Sequence, residues 1–141
     1  MKISTKGRYG VRIMADVAKN GTDSPATITD ISARQNLTLK YTEQICGILA
    51  KGGLLRSIRG AQGGYVLVKQ PDKYTVLEIL NCLEGDLTPV GCVNSDVCER
   101  YGECNVRSLW SGLYKVVAEY LGGVTLADLI NTAPPSDFYV I

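Results

Sequence analysis

The stretch Thr38-Leu39-Lys40-Tyr41-Thr42-Glu43-Gln44-Ile45-Cys46-Gly47-Ile48-Leu49-Ala50-Lys51-Gly52-Gly53-Leu54-Leu55-Arg56-Ser57-Ile58-Arg59-Gly60-Ala61-Gln62-Gly63-Gly64-Tyr65-Val66-Leu67-Val68-Lys69 decides the fold. In its first part, Tyr41, Ile45, Ile48 and Leu49 stand at the spacing of one buried helical stripe. The opposite stripe carries Lys40, Glu43, Gln44, Gly47 and Lys51. Thr38 is placed to cap this helix and Gly52-Gly53 to stop it, which predicts a helix over roughly residues 39–51. Residues 54–59 and 65–69 then read as two strands around the tip Gly60-Ala61-Gln62-Gly63-Gly64. A polar-striped helix followed directly by a hairpin with Arg56, Arg59 and a glycine tip is the pattern of a recognition helix and its wing. Glycine lets backbone approach a groove closely, and arginine suits a narrow minor groove.

Upstream, Thr27 opens a second helix, with Thr27 and Asp30 spaced as a capping box and Ile28 and Ile31 facing inward. Asn36 suits the left-handed turn that joins it to the recognition helix, which completes a helix-turn-helix. A first helix is predicted over roughly residues 9–19, with Tyr9, Ile13, Met14, Val17 and Ala18 buried and Asn20-Gly21 as its stop. Lys2, Lys6 and Arg8 precede it as candidate phosphate contacts.

Downstream, Pro71-Asp72 breaks the chain, and Thr75 and Glu78 make a second capping box for a helix with Val76, Ile79, Leu80 and Leu83 inward. A longer helix is predicted over roughly residues 105–121. Along it Val106, Leu113 and Tyr120 recur every seven residues, as do Trp110 and Val117, beside Leu109, Val116 and Leu121. That stripe is broader than one small domain needs and points to a partner helix in a homodimer. Gly122-Gly123 is expected to end it, and Thr125 to cap a short helix to about residue 130. The tail, with Pro134-Pro135 and Phe138-Tyr139-Val140-Ile141, is expected to dock on the body. The expected class is mainly α with a small β-hairpin wing, a winged helix-turn-helix plus a long C-terminal dimerisation helix. Its parts are residues 1–83 (DNA-binding domain), 84–104 (cysteine-rich loop) and 105–141 (dimerisation helix and tail).

The chain has 141 residues and a net charge of +1, but the charge is uneven. Residues 1–73 hold twelve Lys/Arg against five Asp/Glu, a net +7, and the remainder holds three against nine, a net −6. A basic half in a near-neutral chain points to an anionic partner, nucleic acid first. There is no histidine and no acid–base or nucleophile constellation, so an enzyme is not indicated. No apolar run approaches a membrane span, and the first residues lack the apolar core of a signal peptide. The expected compartment is the cytoplasm, where thiols stay reduced.

Three of the five cysteines, Cys92, Cys98 and Cys104, are each separated by five residues in a region with neither helical nor strand periodicity. Long unpatterned loops are usually functional, and gathered thiolates suit zinc or an iron–sulfur cluster. The spacing is not that of zinc ribbons, and coincidence stands as the alternative. Cys46 and Cys82 fall on predicted helices and are expected to be buried, inert thiols.

With these elements in this order, the sequence resembles the bacterial Rrf-type winged-helix transcription regulators, whose branches include IscR-, NsrR- and CymR-like proteins. The resemblance covers nearly the whole chain. It is carried by Ile3-Ser4-Thr5-Lys6-Gly7-Arg8-Tyr9, Asp30-Ile31-Ser32, Glu43-Gln44, Ile58-Arg59-Gly60, Gly63-Gly64-Tyr65, the cysteine triplet and Leu109-Trp110. It implies a homodimer on a double-stranded DNA operator, with Lys2, Lys6, Arg8, Thr38, Lys40, Tyr41, Glu43, Gln44, Arg56, Arg59 and Gly60 as the expected DNA contacts. In IscR-like members it further implies a [2Fe–2S] cluster on three such cysteines and a histidine three residues after the third, where this chain has Arg107. NsrR-like members can use an N-terminal acidic ligand, where this chain has Arg8. The fourth ligand stays open among Glu103, Asn105, Asp96, Glu99, a group from the second subunit and an exogenous thiol, so [4Fe–4S] stands beside the favoured [2Fe–2S].

The expected function is regulation of transcription by sensing cluster status (iron, redox or nitric oxide), with cluster-biogenesis genes as targets. The alternative is a cluster-free, CymR-like repressor of sulfur metabolism controlled by a partner protein such as a cysteine-synthesis enzyme. CymR-like members resemble this chain but lack the triplet, which tips the choice toward a cluster. An electron carrier would not need the +7 half or the glycine-tipped wing.

Overall fold

A computed structural model describes residues 1–93 and 98–132. Six helices and one hairpin run in the order α1 (Thr5–Asn20), α2 (Ile28–Gln35), α3 (Leu39–Lys51), β1 (Leu55–Ile58), β2 (Gly64–Leu67), α4 (Val76–Glu84), α5 (Arg107–Gly123) and α6 (Leu126–Asn131). Short 3-10 turns sit at Pro71–Lys73 and Gly91–Val93. The expected class, mainly helical with a two-stranded antiparallel wing, is the one observed.

Helix α1 starts four residues before its predicted first residue because Ser4 caps it, its hydroxyl accepting from the Gly7 N–H at 3.0 Å. At Thr27 and Thr75 only half of each expected capping box forms. Each hydroxyl accepts from the backbone N–H three residues on, but the Glu78 carboxylate turns away to Lys69 at 2.9 Å. The complete box is at the start of α6, between Thr125 and Asp128. Its hydrogen bonds hold the Asp128 carboxyl below its usual range. Asn36 closes α2 in the left-handed region (φ 54°) and its N–H reaches Ser32 O, which sets the turn into α3.

One core joins α1, α2, α3, the wing, α4 and α6 around Ile13, Met14, Ile31, Ile45, Leu49 and Tyr74, all fully buried. Burying each such side chain stabilises the fold by about 1.5–3 kcal/mol. On α3 the buried set is Thr42, Ile45, Cys46 and Leu49, whereas the expected Tyr41 and Ile48 are only half-buried. Tyr41 and Ile48 flank that set and pack against the same core. Cys46 is buried as expected, but Cys82 is half-buried, its thiol reaching Ile48 O at 3.8 Å.

The wing pairs Leu55 with Leu67 and Ile58 with Gly64. Its second strand also runs along Ala26, with Ala26 N–H to Tyr65 O at 2.9 Å and Tyr65 N–H to Ala26 O at 2.8 Å. Only glycine fits at Gly64. Its φ is +157°, and a β-carbon there would collide with the Ala26 carbonyl. Helix α4 has two buried edges. Ile79 and Leu83 join the main core, while Val76 and Leu80 form a second cluster with Leu87, against which Tyr114 and Leu121 of α5 pack.

Among the described residues, helix α5 packs against α4 and the turn at Gly91–Val93. No residue of its 17 is buried. It begins two residues later than predicted and ends at Gly123, within the Gly122-Gly123 pair expected to stop it. Trp110 and Val117 are half-buried, so the second seven-residue row facing outward is Leu109 and Val116. The expected docking of residues 133–141 lies outside the described residues, as does Asp96.

Candidate nucleic-acid interface

The exposed stripe of α3 is the one its spacing predicted: Lys40, Glu43, Gln44, Gly47 and Lys51 all face solvent. Thr38 is exposed, but its side-chain oxygen is engaged as the N-cap, accepting from Tyr41 N–H at 3.1 Å. Tyr41 packs edge-on against Tyr9, ring centroids 6.0 Å apart, and Arg12 lies 5.0 Å from the Tyr9 ring. Leu39, which the sequence reading passed over, is 55% exposed in the first turn of α3.

Next to this helix, Arg56 and Arg59 are exposed on the wing, and Gly60 stands at its tip with φ +112°. Lys2 and Arg8 are exposed and Lys6 half-exposed at the start of α1. Among the described residues, carboxylates pair with Arg34, Lys69 and Lys115, and with none of Lys2, Lys6, Arg8, Lys40, Arg56 or Arg59. A half with net +7 therefore keeps its cations available for phosphate.

The helix-turn-helix is held rigid behind this face. Asp16, buried on α1, accepts from Arg34 Nη2 at 2.7 Å and Nε at 2.9 Å, and from Gln35 Nε2 at 2.8 Å. The hydrogen bond to Asp16 raises the Arg34 pKa further. Arg12 donates to Gln35 O at 2.7 Å, tying α1 to the end of α2. These bonds fix α2, the first helix of the helix-turn-helix, against α1.

Among the described residues, the cysteine region contains a 3-10 turn at Gly91–Val93 and turns over residues 99–103. Asp86 accepts from Thr88 N–H at 2.9 Å, and Leu87 is buried. Cys92 lies half-buried in its 3-10 turn, Cys98 is exposed, and Cys104 is half-buried just before α5. Arg107, at the position where the resemblance implies histidine, stacks its guanidinium 3.3 Å from the Tyr101 ring centroid. Three free thiols on one segment are a donor set suited to iron–sulfur chemistry. Among the described residues, however, no three Cys, Asp, Glu or His side chains stand together as metal ligands. Glu103 and Glu99 are exposed, as is Asn105.

Burial pushes the Cys46 thiol up to about 12, with Asp16 adding to the shift, and burial also raises Cys82. Neither outlying thiol is set up as a ligand at neutral pH. No helix among the described residues is long and apolar enough to cross a membrane.

A family model described as Rrf2, iron-dependent transcriptional regulator, matches residues 3–132. The HTH-type transcriptional regulator CymR of Bacillus subtilis is 42% identical over 131 residues, which cover 93% of this chain and 91% of that protein. The HTH-type transcriptional regulator IscR of Yersinia pseudotuberculosis is 35% identical over 131 residues, covering 93% and 80%. Among solved structures, the global cysteine regulator CymR of B. subtilis superposes with a TM-score of 0.79 at 40% identity, covering 95% of this chain and 99% of that one. IscR of T. potens superposes with a TM-score of 0.76 at 36% identity, covering 99% and 93%.

Proposed function

Since the chain belongs to the Rrf2 family of transcriptional regulators and is not an enzyme, we propose that it is a homodimeric operator-binding protein whose DNA affinity responds to an iron–sulfur cluster held by Cys92, Cys98 and Cys104. The observation that carries the DNA reading is the exposed stripe of α3 beside a wing whose two arginines pair with no carboxylate among the described residues. On such a face Glu43 accepts from cytosine N4 and Gln44 pairs with adenine, while Arg59 reaches the minor groove. Lys2, Lys6 and Arg8 neutralise phosphates and position the domain without reading sequence.

The dimer reading rests on α5. Val106, Leu109, Leu113, Val116 and Tyr120 are 42–70% exposed at alternating steps of three and four, the seam of a two-helix coiled coil. A two-fold dimer spaces two recognition helices for two half-sites.

The cluster reading rests on the three free thiols of one segment. When bound, the cluster would supply redox, iron and nitric-oxide sensitivity at a site with one non-cysteine position, and iron–sulfur assembly genes are the natural targets. The chain's own part is to hold that segment between α4, which enters the main core, and α5. A change in the segment would then alter how the paired domains are spaced.

Absorption and Mössbauer spectra of anaerobically prepared protein test this. The expected result is a visible iron–sulfur chromophore lost in Cys92→Ala, Cys98→Ala or Cys104→Ala and kept in Cys46→Ala and Cys82→Ala. A full chromophore in Cys98→Ala would sink the site. Protein without colour or iron, yet binding its operator, would favour the second reading, a cluster-free regulator governed by a partner protein. The 42% identity to CymR speaks for that reading.

A further inference from the structure

The last residue of α4, Glu84, makes an unusual long-range contact. Its Oε1 accepts from Ser4 N–H at 3.0 Å and also from the Ser4 hydroxyl, across 80 positions of sequence. The Ser4 hydroxyl oxygen in turn accepts from Gly7 N–H, capping α1. A carboxylate at the C-terminal end of its own helix faces the negative end of that helix dipole. Here it is directed to the positive end of α1, whose first turn contains no acidic residue of its own. The approach is close because α1 is notched. A β-carbon on Gly7 would overlap Glu84 Oε1, and one on Gly10 would overlap Leu83 Cδ1.

Three basic residues flank this contact, Lys2 before Ser4 and Lys6 and Arg8 after it. On the other side, Gly85 (φ +77°) opens the segment that leads to Cys92. The anchor of the N-terminal arm is thus the residue at which the cysteine segment leaves the body.

We propose that Glu84 is a positioning residue for DNA binding: it grips Ser4 and so sets Lys2 and Lys6 against the phosphate backbone, tying the arm's placement to the start of the cysteine segment. This rests on the operator-binding reading above and needs no cluster. Glu84 touches no base or phosphate itself. It acts by removing the freedom of the arm that carries Lys2 and by holding, through the Ser4 cap, the first turn of α1 that carries Lys6, both of which otherwise would have to be ordered on binding.

The salt dependence of operator binding separates this role from plain stabilisation. Loss of two phosphate contacts lowers the magnitude of the slope of log affinity against log salt by about 2. A variant that is merely less folded loses active protein, which is read as reduced stoichiometry at an unchanged slope. We expect Glu84→Ala and the double variant Lys2→Ala/Lys6→Ala each to lower the slope by that amount, and the triple variant to lower it no further. Glu84→Gln, whose amide oxygen still accepts from Ser4 N–H, should retain most of the slope.

Full slope in Glu84→Ala, or a further additive loss in the triple variant, overturns the proposal while leaving the operator-binding reading intact. A wild-type protein that shows no salt-dependent binding to an operator selected from random duplexes overturns both. Equal slopes in Glu84→Gln and Glu84→Ala also overturn it when urea unfolding shows Glu84→Gln as stable as the wild type, since the grip on Ser4 would then be irrelevant to the arm.

Discussion

Tyr74 shows how much one side chain contributes. It is fully buried, and its hydroxyl donates to Leu54 O at 2.8 Å while accepting from Val68 N–H at 2.8 Å and Lys69 N–H at 3.2 Å. It therefore clamps both ends of the wing to the core. Tyr74→Phe keeps the ring but leaves the buried Leu54 carbonyl without this partner, so urea unfolding should show a loss of about 1–2 kcal/mol. A neutral result would mean the wing's ends are held by the strands alone. The thiols differ at the same scale. At neutral pH, the buried Cys46, with its thiol pushed up to about 12, stays protonated and should resist iodoacetamide, while the exposed Cys98 reacts first. Peptide mass mapping of a time course reads the order, and early labelling of Cys46 would show that α3 opens in the native protein.

At the scale of the element, α3 joins two roles on one cylinder. Its buried side is made of Thr42, Ile45, Cys46 and Leu49, and its outer side of polar residues with Glu43 and Gln44 central. A carboxylate on an otherwise cationic face weakens attraction to any phosphate, so in the proposed function its part is discrimination between bases. Glu43→Ala should therefore relax sequence preference in a selection from random duplexes, with a mismatch penalty reduced by about 1–3 kcal/mol at one base position. Tighter or weaker binding at all sites alike, with preference unchanged, would remove Glu43 from the set of base readers. The outer stripe was legible in the sequence because helical period alone sorts residues into faces. Tyr41 and Ile48 do pack on the core but are only partly covered, because how far a large residue is buried depends on what α1 and the wing bring to it.

For the whole molecule, α5 is the element a single chain does not explain. A 17-residue helix with no buried residue carries an apolar seam, and each seam residue covered by a second copy would contribute about 1.5–3 kcal/mol before association costs. Leu113→Asp puts a charge in the middle of that seam, so sedimentation at micromolar concentration should show monomers with operator binding reduced at least about tenfold. A dimer surviving the substitution would move the interface to another face. The charge asymmetry also belongs to this scale. The half from residue 74 onward, with net −6, repels phosphate and leaves binding to the +7 half.

The sequence by itself determined the order of elements, the helix-turn-helix with its wing, the exposed stripe of α3 and the presence of a seven-residue apolar repeat in α5. All of these follow from local periodicity, caps and turn residues, which act over a few positions of chain. Only the tertiary structure decided that Glu84 grips Ser4, that Tyr74 clamps the wing, and that Leu109 and Val116 rather than Trp110 and Val117 face outward beside Leu113. In each case the outcome is set by contact, or its absence, with groups far away in sequence, and no local pattern encodes which of two apolar rows a distant helix will cover.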